Sequence, residues 1–223
     1  MDLDLLNLAD VVRTIGRGVV FRAPRWNPGI GEELVLTHLG DTEGDISIAT
    51  NAEVAGLTTP ELSGGAMHEA DFVGENPTIE APIFLADPTL LALVSPSGVA
   101  SGGRSRRSAP EEHTLVIFPE QLFLETVAGI VHRRTVAFSG GAWTFNGAAL
   151  SAARQTLLDM SFWAWRGFFN RPPQRFLGGA GDAKKQIETV SFQVMHHPDM
   201  PEGHHLYTIG DPVAADIDLE GGS

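Results

Sequence analysis

The stretch His68–Pro96, HEADFVGENPTIEAPIFLADPTLLALVSP, carries a turn, a strand and a capped helix in succession. Within it, Thr78–Leu85 alternates Ile79, Ala81, Ile83 and Leu85 on one face with Thr78, Glu80, Pro82 and Phe84 on the other. That period of two is the mark of a strand with one buried face. Pro82 has no N–H to donate to a ladder, which predicts that this strand runs at a sheet edge or carries a bulge. Asp87 is a helix N-cap residue type and Pro88 suits the first helical position. Leu90, Leu91 and Val94 then give a short apolar stripe that Ser95-Pro96 ends. The segment is a strand feeding a short helix, and it reads as architecture rather than chemistry.

The same alternation recurs on both sides of it. Val19-Val20-Phe21, Glu33–Leu39, Ile46 with Ile48, His113–Phe118, the Val190, Phe192 and Val194 face, and Leu206–Ile209 all read as strands, so the count reaches at least seven. At the start, Leu5, Leu8, Val12 and Ile15 recur at helical spacing before Gly16, predicting a short amphipathic helix or arm over residues 1–17. It packs either on its own domain or on a neighbouring subunit. Leu150, Arg154, Leu157 and Leu158 predict a second helix, capped by Asn146 or Ser151 and preceded by a strand over Trp143–Phe145 and a turn; a hairpin at Asn146-Gly147 competes with it. Ser161–Phe169 sets Trp163, Trp165 and Phe169 on one face against Phe162, Ala164, Arg166 and Phe168. Both faces are largely apolar, so the strand lies at the centre of a sandwich or at a subunit boundary. Residues 96–110, PSGVASGGRSRRSAP, predict a long exposed loop.

Composition fits one β-rich domain spanning residues 1–223, with 96–112 as the exposed loop and 211–223 as an acidic tail. Of the 223 residues 43% are hydrophobic and 19% charged, an ordinary globular balance, while 25 Gly and 14 Pro supply many turns. The formal charge of −13 opposes a surface that holds nucleic-acid phosphates, although acidic walls would let a duplex slide without sticking. Without cysteine, disulfides, thiolate nucleophiles and Cys-ligated zinc are excluded. The acidic start, MDLDLLNLAD, is unlike a secretory signal and no apolar run approaches a membrane span, so the chain is expected to be made in the cytoplasm without a membrane partner.

Three constellations invite a catalytic reading. His196, His197, Asp199, Glu202, His204 and His205 offer metal-ligand types within ten residues. However, adjacent histidines on a strand point to opposite faces, and the spacing lacks the helical periodicity of HExxH. Plain turn residues are the competing reading. Asp41 with Glu43 and Glu69 with Asp71 are carboxylate pairs in turn-like contexts beside glycines, which an acidic chain produces by composition. No GxSxG and no GK[ST] loop occurs. The expectation is therefore no catalytic residue, no metal and no cofactor.

The phrases GENPTIEAPIFLADPTLLALVSPSG and HTLVIFPEQLF resemble the major tail tube proteins of long-tailed phages and related prophages. The resemblance extends to LTHLGDTEGDISI, FWAWRGFF and ETVSFQVMHHPDMPEGHHLYTIGDP, covering about Gly18 to Pro212. It implies a mainly β fold, an antiparallel sandwich or barrel with one to three short helices and a long inter-subunit loop. It also implies a virion subunit forming hexameric rings stacked into a tube that conducts DNA, with tape-measure, tail-terminator and tail-tip proteins as partners. Arg104, Arg106 and Arg107 concentrate positive charge in the long loop and suit carboxylates on the next subunit, with a solvated loop or a nucleic-acid contact as competing readings. With Pro82, Trp163 and Trp165 they are the expected inter-subunit contacts. Two alternatives stand beside this reading: another ring-forming tail component, such as a terminator or adaptor, and a small metal-dependent β-barrel enzyme using His196–His205.

Overall fold

The period-two alternation becomes a single antiparallel sheet in the computed structural model. The structure describes residues 12–15, 18–28, 34–42, 44–50, 52–58, 67–84, 94, 111–122, 135–145, 147–171, 174–175 and 187–219. In chain order the strands are β1 (Val12–Ile15), β2 (Gly18–Pro24), β3 (Leu34–Asp41), β4 (Ile46–Ala49), β5 (Ala52–Thr58), β6 (Met67–Glu75), β7 (Thr78–Phe84) and β8 (His113–Pro119). They continue as β9 (Thr135–Ser139), β10 (Ala142–Phe145), β11 (Ala148–Ala149), β12 (Phe162–Phe169), β13 (Gln174–Arg175), β14 (Ile187–Val194) and β15 (Tyr207–Ile209). The main sheet runs β1-β4-β7-β14-β12-β8-β2-β3-β9-β10-β11, with β13 beside β14 and β15 beside β12. An isolated bridge joins Thr42 to Ile83, so the path folds back towards itself, but among the described residues no continuous ladder closes it into a barrel.

The central strands β2, β8 and β12 are buried on both faces and divide the interior in two. Phe21, Val116, Phe118, Trp163 and Trp165 point into one apolar cluster, completed by β3, β9 and β10 through Leu34, Leu36, Val136, Phe138, Trp143 and Phe145. Val20, Leu115, Ile117, Phe162 and Ala164 point into the other, completed by β4, β7 and β14 through Ile46, Ile48, Ile79, Ala81, Ile83, Val190 and Phe192. The buried face Ile79, Ala81 and Ile83 of β7 is the one its alternation predicts. Near-continuous apolar runs such as HTLVIFP are what a doubly covered strand requires.

Several expectations are corrected. β7 is not an edge strand: it lies between β4 and β14. Pro82 is tolerated there because the β4 ladder lapses beside it, pairing Glu80 with Ser47 and next Ile83 with Thr42, and Gly44 approaches the proline ring. The irregularity, not the edge, accommodates the missing N–H. Val12–Ile15 is a strand paired with Ile46–Ala49 rather than the end of a helix. A few residues of helix bring little stability on their own, while an available sheet edge gives a largely β-branched segment a ladder of backbone hydrogen bonds along one side. The rest of that expected helix lies outside the described residues, as does all but Val94 of the helix expected after Asp87.

Met67–Glu75, read in part as a turn, is a strand that pairs with Ala52–Thr58 in a separate two-stranded ribbon. The ribbon prolongs the β4–β7 pair, and the Asn76 N–H donates to the Thr50 carbonyl at its base, 3.2 Å away. At the usual rise per residue, its longer strand spans about 30 Å. The expected helix after residue 150 is present but short, Ala152–Gln155 continuing into a 3-10 turn over Thr156–Met160. The competing hairpin is present as well, because β10 pairs with β11 across Gly147, whose φ is 78°. The acidic tail is not free through residue 219: Ile217 and Leu219 are buried in the first cluster, and the Trp143 indole donates to Asp211 at 3.3 Å.

Candidate functional site

Of the expected inter-subunit contacts, Arg104, Arg106 and Arg107 lie outside the described residues. Pro82 is half-buried inside the sheet. Trp163 and Trp165 are both 0% exposed, which corrects their assignment as contacts: no surface of either is left for a neighbour. All four tryptophans instead form one continuous row of ring contacts. Trp143 and Trp163 lie 5.4 Å apart, Trp163 and Trp165 5.3 Å, and Trp165 and Trp26 5.6 Å between ring centroids. Trp163 donates its indole N–H to Ser161 Oγ at 2.7 Å, and Trp165 donates to Thr208 Oγ1 at 2.8 Å, so the polar edges of these two central rings are satisfied.

Phe169 does not share their face, as the simple alternation has it. The β12–β8 register shifts between Ala164 and Gly167, and this bulge turns Phe169 into the second cluster, against Phe192 and His113. The bulge also sets up the most elaborate polar cluster among the described residues. Pairing of Pro24 with His113 and of Gly167 with His113 brings Arg25, Glu112 and Arg166 to one end of the sheet. Arg166 grips Glu112 with two guanidinium N–H groups, at 2.7 and 2.9 Å, and Arg25 donates to the same carboxylate at 3.2 Å. Arg25 also reaches Asp199 at 3.5 Å, and Arg166 donates to the His196 carbonyl at 3.1 Å. The hydrogen bond from Arg166 is the main force holding the Glu112 carboxyl below its ordinary pKa, and it raises Arg166 in turn.

This clasp fixes the His-rich turn. His197 is 0% exposed, with Nε2 3.0 Å from the Trp26 carbonyl and Nδ1 accepting the Asp199 N–H at 3.3 Å. Those partners select the neutral imidazole with its proton on Nε2. The His197 N–H donates to the His205 carbonyl, 2.7 Å away, His196 and His205 stack at 4.7 Å, and the His204 ring lies 3.0 Å from Thr208 Oγ1. Both ring nitrogens of His197 are therefore engaged, Nδ1 within the turn and Nε2 by the Trp26 carbonyl that follows β2. Among the described residues no group of three or more His, Asp or Glu side chains converges as a metal site. Asp41 ends β3, and Glu69 and Asp71 lie within β6 rather than in turns.

Sequence reasoning missed the clasp because its members lie 54 and 87 positions apart and meet only through the register of β2, β8 and β12. Chemically it orients a turn, with its carboxylate saturated by two arginines.

Burial, chiefly, pushes the His197 pKa down, with Arg25 and Arg166 acting in the same direction. A folded value below the unfolded one, about 6.5, means that the unfolded chain binds the proton more readily. Stability is then fully present above the unfolded value and is lost as pH falls through it towards the folded one. Glu112, held low, stays ionised over that window. The thermal midpoint is expected to drop between pH 7 and pH 5, and His197→Gln, which keeps a donor for the Trp26 carbonyl, is expected to remove much of the drop. A wild-type midpoint that does not move over this range would contradict the assignment.

The chain matches no protein-family model and no curated protein. Among the described residues, no helix is long and apolar enough to cross a membrane.

Proposed function

We propose that this chain is a structural subunit of a phage-type tail tube, forming rings that stack into a conduit for DNA. The β5–β6 ribbon carries the reading. It has no third strand among the described residues, and a two-stranded ribbon of this length is marginal in water unless something covers it. A neighbouring subunit is the natural cover. The two ends of the main sheet, β1 and β11, support the same reading, since among the described residues nothing pairs with their outer sides and such edges invite pairing between copies. In this scheme the subunit is a sandwich-like unit, contacts close laterally into a hexameric ring and stay open axially, and acidic side chains face the lumen and repel the duplex. The arginines of the long loop reach the next subunit, and tape-measure, terminator and tip proteins set the length. The clasp described above orients the His-rich turn, and no reaction is assigned to it.

Negative-stain electron microscopy over a concentration series tests this. The expected result is rings or tubes with a central hole wide enough for a DNA duplex. Rings that stop at one layer, even with tail-tip components present, would point to a terminator or adaptor. Uniform small particles at all concentrations and with those components would end the tube reading.

A further inference from the structure

The turn between β14 and β15 carries His196, His197, His204 and His205, and of these only His197 is buried. Its Nδ1 accepts the Asp199 N–H at 3.3 Å, while Nε2 faces the Trp26 carbonyl at 3.0 Å. A proton added at Nδ1 sets one N–H against another, so the Asp199 bond is lost as the charge arrives. The ring has no solvent to receive that charge. Arg25, just past β2, and Arg166, on β12, face it as cations, and the nearby carboxylates, Asp199 in the turn and Glu112 just before β8, are already paired with those arginines. His196 and His205 stack at 4.7 Å with 22° between their planes, an arrangement in which two protonated rings repel. His204 Nδ1 meets Thr208 Oγ1, which also takes the Trp165 indole N–H.

The turn has its own internal bonds, the His197 N–H to the His205 carbonyl and the His204 N–H to the Pro201 carbonyl at 3.0 Å. It is tied down by the His197 ring on the Trp26 carbonyl, by Arg25 on Asp199, by Arg166 on the His196 carbonyl, and by Met200, which is buried in the first cluster with Trp26. None of these is a rung of the main sheet's ladder. The turn can therefore lift as a unit while the strands stay paired, as locally cooperative segments do. From this we infer that residues 196–205 form an acid-opened latch: protonation of its histidines releases the turn from the end of the sheet and uncovers Met200 and Trp26. The opening is local, distinct from the loss of global stability expected above, and it does not depend on the assembly reading.

Methionine oxidation by hydrogen peroxide tests this on the unaltered chain, because Met200 is 3% exposed and Met160, 53% exposed, serves as the internal reference. Both rates are followed by peptide mass spectrometry at pH 7 and pH 5. The Met200 rate divided by the Met160 rate is expected to rise about tenfold or more at pH 5, as linkage requires when His197 titrates at about 6.5 in the opened turn and lower in the closed one. The β-sheet circular dichroism is expected to stay the same. His197→Gln, which keeps a donor for the Trp26 carbonyl and takes up no proton, is expected to lose most of the rise. A wild-type ratio equal at the two pH values would overturn the latch, and that comparison decides even where the variant fails to fold. A rise accompanied by loss of the β-sheet signal, or one undiminished in folded His197→Gln, would overturn it as well.

Discussion

Trp163→Ala is expected to destabilise the protein by about 3–5 kcal/mol, the range for removing a fully buried large aromatic side chain. Trp163 is 0% exposed and sits at the junction of the first cluster. It stacks on Trp165 at an interplanar angle of 19°, meets Phe118 edge-on at 89° and touches Trp143 at 5.4 Å. These neighbours come from β8, β10 and β12 itself, so a void there loosens three strands together. Rigid aromatic rings anchored on different strands relax poorly into a cavity, which places the cost towards the upper end. For a chain of this length the thermal midpoint is expected to fall by about 6–20 °C. Trp163→Phe keeps most of the packing and loses the bond to Ser161 Oγ, so less than half of the effect is expected. A Trp163→Ala variant within 1 kcal/mol of the parent in chemical denaturation would mean that this side chain is not interior, and would return Trp163 to the subunit boundary.

Gly167→Ala is the second large effect, and it arises from close approach rather than from a special backbone angle. A Cβ at Gly167 would collide with the Gln193 carbonyl oxygen and with the ring of Phe192 on β14. A flexible side-chain tip could move aside, but here the obstacles are the backbone of a paired strand and a fully buried ring. Overpacking of this kind costs about 1–3 kcal/mol, occasionally more, and the β12 bulge makes the upper part of the range or beyond the expected result. Gly74 gives an internal control. A Cβ there meets nothing within 4 Å, so Gly74→Ala is expected to be neutral or to stabilise by up to about 1 kcal/mol through the unfolded chain. Equal effects from the two substitutions, read as midpoints in urea, would mean that β12 and β14 do not approach as described.

Both predictions concern features that the sequence announces only in part. The burial of Ile79, Ala81 and Ile83, of Val190, Phe192 and Val194, and the apolar run of β8 follow directly from alternation, because a strand's side chains point to opposite faces with a fixed period. Leu158 in its short helical turn was legible for the equivalent reason. Position in the sheet was not. Pro82 signalled trouble for a ladder, but the choice between edge and irregularity depended on Thr42 and Gly44, some forty residues earlier in the chain. The two-faced apolar pattern of β12 favoured the centre of a sheet but left the boundary open until β8, β14 and β15 occupied its flanks.

The β class, the alternating faces of β7, β8 and β14, the turn-rich composition and the exclusion of cysteine chemistry are therefore all readable along the chain. Those properties depend on residue type and local period alone. Long-range pairing alone makes Val12–Ile15 a strand, changes the face of Phe169 at the Ala164–Gly167 bulge, and brings Arg25, Glu112 and Arg166 together on the turn anchored by His197. Each of these is a matter of register. A one-residue slip moves every following side chain to the other face of a sheet, and the partner that fixes the register lies far away in sequence.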